Sequence, residues 1–565
     1  MAFSRRDFLA ALAALTAARG RPATAGSAAS GWVVAQERHA AEIGADVLRA
    51  GGNAVDAAVA TAFALAVTYP RAGNLGGGGF MVIHQAAGAR NFAIDFRERA
   101  PAAATPSMFR KPDGSPDEVS SRQSALAIGV PGSVAGLTLA LEKFGSSRFT
   151  LAQLLEAPIA AARSGIRIDD DLADTLPQAH DWLARWPSSA RIFSRSDGSS
   201  LAPGDLLVQS DLADTLSLIA AEGPAGFYHG AVAKRIAGAI RTAGGILTEE
   251  DLASCQARIA EPLSGRYRRS EIVAMPLPSS GGVVLLETLN ILEAFNLTEL
   301  GQGSVAACHL LIEAMKRAYA DRARFLGDGR VDAVAPLIAK DYAARLAAGI
   351  DRARATPSSA LDPPGRRLEP PREGTNTTHF SVVDSAGNAV STTVTLNFSY
   401  GVGLVADGTG VLLNNELDDF TAAPGAANAF GLVGFEANLP GPGKSPLSSM
   451  APTIVLQEGQ PVLVTGSPGG SRIISAVLQV IVNVLDFDMD IKSAVAAARL
   501  HHQWLPDEVR VEAGISDSVR EGLRSLGHTI TAPLGQTSAN SIRITQDGVV
   551  AAPDPRSRGA AAAGP

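Results

Sequence analysis

The residues that could do chemistry start at Thr377, in the run Asn376-Thr377-Thr378-His379-Phe380-Ser381-Val382-Val383-Asp384. A polar, proline-rich segment feeds directly into it, and its alternation predicts a strand. That junction makes sense if the chain is cut between Asn376 and Thr377. Thr377 would then carry a hydroxyl and a free α-amine on one residue. A threonine hydroxyl needs a base beside it to act as a nucleophile, and an α-amine with a reference pKa of about 7.7–8.0 can be that base. Before the cut, the same hydroxyl could attack the Asn376 carbonyl, giving an ester that water hydrolyses. The alternative is that Thr377 and Thr378 are ordinary β-branched strand residues.

A second candidate is Gly466-Ser467-Pro468-Gly469-Gly470-Ser471-Arg472, ahead of an apolar helix predicted from Ile473 to Leu485. It has three readings. It is a plain tight turn, or a phosphate cradle at a helix start, or an oxyanion hole in which Gly469 and Gly470 donate backbone N–H groups to a tetrahedral intermediate. No Gly-Lys-Ser/Thr follows, which weighs against phosphate. His379, His501 and His502 are tempting bases but lack ligand spacing, and no G-x-S-x-G elbow accompanies them. Packed structural histidines are the better reading.

The positioning elements come next. Strands are predicted at Gly31–Ala35, Phe80–Ile83 and Phe92–Phe96, with helices at Ala40–Arg49, ending at Gly51-Gly52, and Ala54–Val67, capped by Asn53. Residues 135–350 read as mostly helical, with Thr248 and Asp251 close to a capping box. The hexapeptide DLADTL at Asp171 and Asp211 reads as two similar helix starts. Asp384-Ser385-Ala386-Gly387-Asn388 fits a three-residue hairpin loop with Gly387 left-handed. Pairing Asp384 with Asn388 sets Thr377 opposite Thr395, with Cβ atoms about 4.5–5.5 Å apart. Strand periodicity then puts Asn397 on the same side.

The chain of 565 residues is 46% hydrophobic, carries a net charge of −7 and has 57 glycines. That suffices for a large core and gives no basic field for nucleic acid. Two cysteines exclude a disulfide framework. Ser4-Arg5-Arg6-Asp7-Phe8-Leu9, an apolar run to Ala18 and Ala23-Thr24-Ala25 predict a twin-arginine signal over residues 1–25. No later run is long enough to span a membrane. Two Pro-Pro pairs predict an exposed linker at 356–376, dividing a large piece (26–376) from a small one (377–565).

Read together, GGNAVDAAVA from Gly51, AGNLGGGGFM from Ala72, IDFRE from Ile94, PSSGG from Pro278, TTHFSVVD from Thr377, LLNNELDDF from Leu412, PLSSM from Pro446, GSPGGSR from Gly466, HHQWLPDE from His501 and DPRS from Asp554 resemble the gamma-glutamyltranspeptidases, which are N-terminal-nucleophile hydrolases. The resemblance runs from about residue 31 to 556. It implies that Thr377 is both nucleophile and self-processing residue, supported by Thr395, with Gly469 and Gly470 as the oxyanion hole. It implies that Arg97, Ser448 and Ser449 hold a substrate α-carboxylate, and that Asn397, Glu416 and Asp419 hold an α-ammonium. Donors to a carboxylate and acceptors for an ammonium suit a zwitterionic glutamyl head. By themselves, Arg97 could equally pair with Asp95 or Glu98, and Asp418-Asp419 could be a solvated turn. Only one of the two adjacent acids should face the ligand. Pro424 to Pro446 reads as a lid, with Phe430 where the family often has a tyrosine.

The resemblance implies an α+β fold, a four-layer αββα sandwich of two stacked, mainly antiparallel sheets flanked by helices and shared by both pieces. It implies acyl transfer from glutathione or another γ-glutamyl compound to water, an amino acid or a dipeptide, without metal or organic cofactor. The rivals are a glutaryl- or cephalosporin-type acylase of the same fold and a secreted binding protein that never matures.

Overall fold

The computed structural model describes residues 31–361, 377–531, 533–535 and 537–564. The signal segment and Asn376 lie outside the described residues, as does the linker from 362 onward.

Two antiparallel sheets carry the architecture. The first has seven strands in the order Ala561–Ala563, Trp32–Ala35, Thr377–Val383, Ala389–Thr395, Gly78–Gln85, Arg90–Phe96, Arg258–Ala260. The second has six, in the order Gly548–Ala552, Ser541–Thr545, Gln460–Thr465, Thr453–Gln457, Ser270–Ala274, Leu263–Tyr267. Alternation within each strand divides the layers. Met81 and Ile83 face one core with the helices Arg38–Arg49, Ala54–Thr68 and Ser133–Phe144. Phe80 and Val82 face the other, shared with the second sheet and the helices Gly281–Leu292, Val305–Phe325 and Ile473–Leu485. This is the expected αββα sandwich.

Local chemistry explains the elements nearest the site. Asn53 accepts from the Val55 and Asp56 N–H groups while Asp56 accepts from the Asn53 N–H, so the Ala54–Thr68 helix opens on a complete capping box. That helix is buried on every face, as its alanine-rich sequence requires. Asp384 in the hairpin loop accepts from the Ala54 N–H at 2.9 Å, tying loop to helix start. Gly387 takes φ +88 and the Asp384 N–H bonds the Asn388 carbonyl at 3.0 Å. The hairpin register is the one expected: Val383 pairs with Ala389 and Thr377 with Thr395. Thr248 and Asp251 form a capping box, and both DLADTL copies open helices.

One expectation needs refining and two need correction. The stretch 135–350 is mostly helical, as expected, but strands interrupt it. Residues 258–274 supply one strand to the first sheet and two to the second. Their mixed, arginine-rich pattern hides an edge hairpin. The exposed linker does not begin at Thr356: Ser358 is buried, its N–H donating to Asp507 at 2.8 Å and its hydroxyl to the Trp504 carbonyl at 2.6 Å. Asn397 does not continue the strand, which ends at Thr395. It has a left-handed φ of +71.

Candidate functional site

Thr377 is the first residue of its strand, and the neighbouring Trp32–Ala35 strand pairs with it only from Val383 to Ser381. The Thr377 end is therefore flanked by Thr395, whose Oγ1 lies 3.2 Å from Thr377 Oγ1. Asn74 holds the Thr395 rung from behind, donating to the Thr395 carbonyl at 2.8 Å and accepting from the Gly77 N–H at 2.9 Å. A Cβ on Gly77 would lie 2.1 Å from that same carbonyl oxygen, so the glycine run allows the backbone approach that fixes Thr395.

One pocket is lined by Thr377, Thr395, Arg97, Asn397, Glu416, Asp419, Ser448, Ser449 and Gly470, with Phe430, Leu432, Met450 and Ile473. All but Gly469 of the residues expected to bind or react line it, and Gly469 precedes Gly470. Asn397 gets there by its turn. Its N–H donates to Thr395 Oγ1 at 2.9 Å and its Nδ2 to the Asn415 carbonyl at 3.0 Å, leaving Oδ1 as the end that can accept from a ligand.

Arg97 is buried at the centre of an acidic cluster. Nη1 pairs with Glu416, Nη2 donates to Asp419 Oδ2 at 2.7 Å, and Nε reaches the Pro446 carbonyl at 3.2 Å. Glu98 Oε2 lies 3.8 Å from Nη1. Asp95 instead accepts from the Arg97 backbone N–H and pairs with Arg258. Burial opposes the Arg97 charge, but Glu416, Asp419 and Glu98 together hold the guanidinium above its ordinary value. Burial pushes the Glu98 carboxyl up to about 7 and Glu416 well above its ordinary range, against the pull of Arg97.

The adjacent acids divide as expected. Asp419 faces Arg97 and the pocket. Asp418 turns away, accepting from Ser121 Oγ at 2.7 Å and from the Ala429 N–H at 3.1 Å. Burial raises its carboxyl to about 6. The PSSGG and PLSSM motifs brace each other. The Ser280 N–H and Oγ both donate to the Ser448 carbonyl, at 2.8 and 2.6 Å, and the Ser448 N–H donates to the Pro278 carbonyl at 3.0 Å.

Gly469 and Gly470 have φ of +133 and +57 and lead through a short turn into the Ile473–Leu485 helix. Among the described residues neither N–H donates to a backbone carbonyl. The Phe430 ring covers this turn: a Cβ on Gly470 would lie 2.4 Å from Phe430 Cδ1.

The histidines are structural. His379 bonds Thr393 and Ser381, and burial lowers it to about 3. His501 sits between Ser475 and Gln503 and is likewise lowered to about 3 by burial. His502 meets Asp507. Outside the pocket, buried His309, Glu313 and His528 cluster, but their ligand atoms are engaged: His309 with His528, and Glu313 with Arg317 and the Thr356 N–H.

Sequence reading missed Arg322. Its Nε donates to Ser280 Oγ at 2.9 Å and its Nη2 lies 3.5 Å from Ser449 Oγ, so a second guanidinium backs the serine pair. Burial pulls it down to about 10. Its helix, Val305–Phe325, also buries Glu313, Lys316, Arg317 and Asp321, so no apolar stripe singles out one cation. Asn74 and the lid residue Asn428 were also missed.

With this geometry in place, the comparisons are specific. The gamma-glutamyltranspeptidase family model matches residues 40–564. The glutathione hydrolase proenzyme of Escherichia coli K12 is 47% identical over 534 residues, covering 94% of this chain and 91% of that protein. Among solved structures, a cephalosporin acylase from Bacillus halodurans superposes with TM-score 0.82 at 26% identity, over 97% of this chain and 98% of that one. The gamma-glutamyltranspeptidase of Helicobacter pylori superposes with TM-score 0.57 at 42% identity, over 61% of this chain and 97% of that one. Among the described residues no helix is long and apolar enough to cross a membrane. The match spans nearly the whole described chain, and the chain belongs to the gamma-glutamyltranspeptidase family.

Proposed function

We propose that this protein is a self-cleaving glutathione hydrolase and γ-glutamyltransferase. The observation that carries the reading is a buried guanidinium, Arg97, bracketed by Glu416 and Asp419 in the same pocket as the Thr377 hydroxyl. Scission between Asn376 and Thr377 divides the precursor into a large piece, 26–376, and a small piece, 377–565, and frees the Thr377 amine. Residues 1–25 direct twin-arginine export to the periplasm or beyond, and are removed.

The substrate α-carboxylate docks on Arg97, Ser448 and Ser449, and the α-ammonium on Asn397, Glu416 and Asp419. A zwitterion brings no net charge, so each charged group exchanges one partner and none is left uncompensated. Thr377 Oγ1 attacks the γ-amide carbonyl and its amine takes the proton. The Gly469 and Gly470 N–H groups donate to the developing oxyanion and stabilise its charge. The amine then returns the proton to the leaving nitrogen. The γ-glutamyl ester on Thr377 is resolved by water, or by the amine of an amino acid or dipeptide, with the same amine as base.

A glutaryl head lacks the ammonium. It would draw Arg97 from two buried acids without replacing their cation, costing about 1.5–3 kcal/mol, the value of one charged hydrogen bond. The test compares γ-glutamyl-p-nitroanilide with glutaryl-p-nitroanilide. kcat/KM at least tenfold higher for the first is expected. Equal or reversed preference replaces the reading with an acylase. A single full-length band with no turnover of either leaves a binding protein.

A further inference from the structure

Phe430 has no hydroxyl with which to fasten the lid, so the fastening must come from elsewhere. Asn428, two residues earlier, makes the bonds that shape the lid tip and tie it to the pocket. Its Oδ1 accepts from the Phe430 N–H at 3.0 Å and the Leu432 N–H at 3.1 Å, its own N–H donates to the Leu432 carbonyl at 3.0 Å, and its carbonyl accepts from the Gly431 N–H at 2.9 Å. Those bonds build the turn that presents Phe430 and Leu432, the two apolar lid residues in the pocket wall. The Asn428 Nδ2 then donates to Asp419 Oδ1 at 2.9 Å, while Arg97 holds Asp419 Oδ2. The next residue of the lid, Ala429, donates its N–H to Asp418 Oδ2. The lid tip is thus bound to both members of the adjacent acid pair. The Phe430 ring lies against Gly470 and meets Phe398 edge-on at 6.2 Å, and Gln503 donates to the Phe430 carbonyl at 3.1 Å.

We propose that Asn428 is the latch of the lid, a positioning residue that ties closure of the pocket to Asp419, the carboxylate assigned above to the substrate ammonium. The proposal rests on the glutamyl reading for its substrate and on the lid geometry for its mechanism. Asn428 holds Asp419 Oδ1 while Arg97 holds Oδ2, so the latch bond does not use the oxygen that exchanges partners and keeps the lid shut over an empty pocket and over a filled one. Opening the lid tip breaks the Asn428–Asp419 and Ala429–Asp418 bonds as well as unpacking the Phe430 ring.

Asn428→Ala removes both functions of the side chain. Asn428→Asp keeps an oxygen for the Phe430 and Leu432 N–H groups but cannot donate to Asp419 and sets a like charge against it. Limited chymotrypsin digestion of the processed protein reads the lid directly, through cleavage after Phe430 or Leu432. Steady-state kinetics with γ-glutamyl-p-nitroanilide read its effect on substrate. Both variants are expected to be nicked there at least tenfold faster than the wild type, at an unchanged melting temperature. KM should rise about tenfold with kcat within about twofold. A lid as resistant in Asn428→Asp as in the wild type overturns the latch, and so does kcat falling with KM unchanged. Faster nicking throughout the chain with a lowered melting temperature also overturns it, because the side chain is then only structural. The digestion needs no substrate. If the wild type turns over no γ-glutamyl compound, the functional reading falls while the lid result still decides the latch.

Discussion

Asp418 and Asp419 are neighbours in the chain that point into different settings. Asp418 is bonded to Ser121 and the lid backbone, and Asp419 is paired with Arg97 inside the pocket. A short helical turn at Glu416–Asp419 separates the two side chains, so one dipeptide serves both the frame and the ligand site.

Thr377→Ala should give one uncut chain with no turnover, because one hydroxyl is assigned to both reactions. A denaturing gel with N-terminal sequencing of the fragments checks this. Appearance of two bands from the alanine variant would refute self-processing by this residue.

Thr395→Val keeps the shape and loses the hydroxyl 3.2 Å from Thr377 Oγ1. A hydrogen bond to a group that gains charge contributes about 1.5–3 kcal/mol, so kcat should fall roughly 10- to 100-fold. Thr395→Ser should recover most of it. Pre-steady-state release of p-nitroaniline separates the acylation step.

Arg97→Ala removes the cation from a buried group of three carboxylates. Substrate KM should rise far more than the rate of self-cleavage falls. The melting temperature should also drop, because an unpaired buried charge costs about 3–5 kcal/mol. Unchanged KM with blocked cleavage would assign Arg97 to the frame.

Glu98 gives a pH prediction. Neither of its buried oxygens has a hydrogen-bond donor among the described residues, and burial raises its carboxyl to about 7. Between its unfolded value near 4.5 and this folded value, the native chain binds a proton that the unfolded chain does not. Stability therefore falls as pH rises through that window. Asp418, raised to about 6, adds to the same slope. Glu98→Gln should raise the melting temperature more at pH 8 than at pH 5. Differential scanning calorimetry at the two pH values checks this, and an equal shift at both would exclude ionisation of Glu98 as the cause.

Gly470→Ala should remove activity without preventing folding. The residue needs φ +57, and its Cβ would meet the Phe430 ring. A displaced oxyanion donor lowers kcat by about 10²–10³. Steady-state rates, with cleavage monitored on a gel, test this.

Much of the site was legible because its parts are local. The Gly387 loop fixes the hairpin register, and the register alone sets Thr395 against Thr377. The capping box at Asn53 is likewise written in four residues. Asn397 reached the pocket for another reason than the one given, since a left-handed turn after the strand is not a periodic signal. Arg322 and Asn428 were not legible. Arg322 lies on a helix whose buried face is full of charge, and its role depends on Ser280 and Ser449, far away in sequence. Asn428 sits in a loop of alanine, glycine and proline, where an amide reads as turn punctuation until Asp419 is seen beside it. The strands Arg258–Ala260 and Leu263–Tyr267 were hidden because edge strands tolerate charge, and charge breaks alternation.

The order of strands in the first sheet has a consequence for the cut itself. Thr377–Val383 and Ala389–Thr395 lie between Trp32–Ala35 on one flank and Gly78–Gln85 on the other, and the far end of the chain returns as Ala561–Ala563 beside Trp32–Ala35. Hydrolysis ahead of Thr377 would thus release nothing. The two polypeptides would stay interleaved like the fingers of clasped hands, and parting them would mean tearing the middle of the sheet. Fragments made separately and mixed after folding should not reconstitute the enzyme.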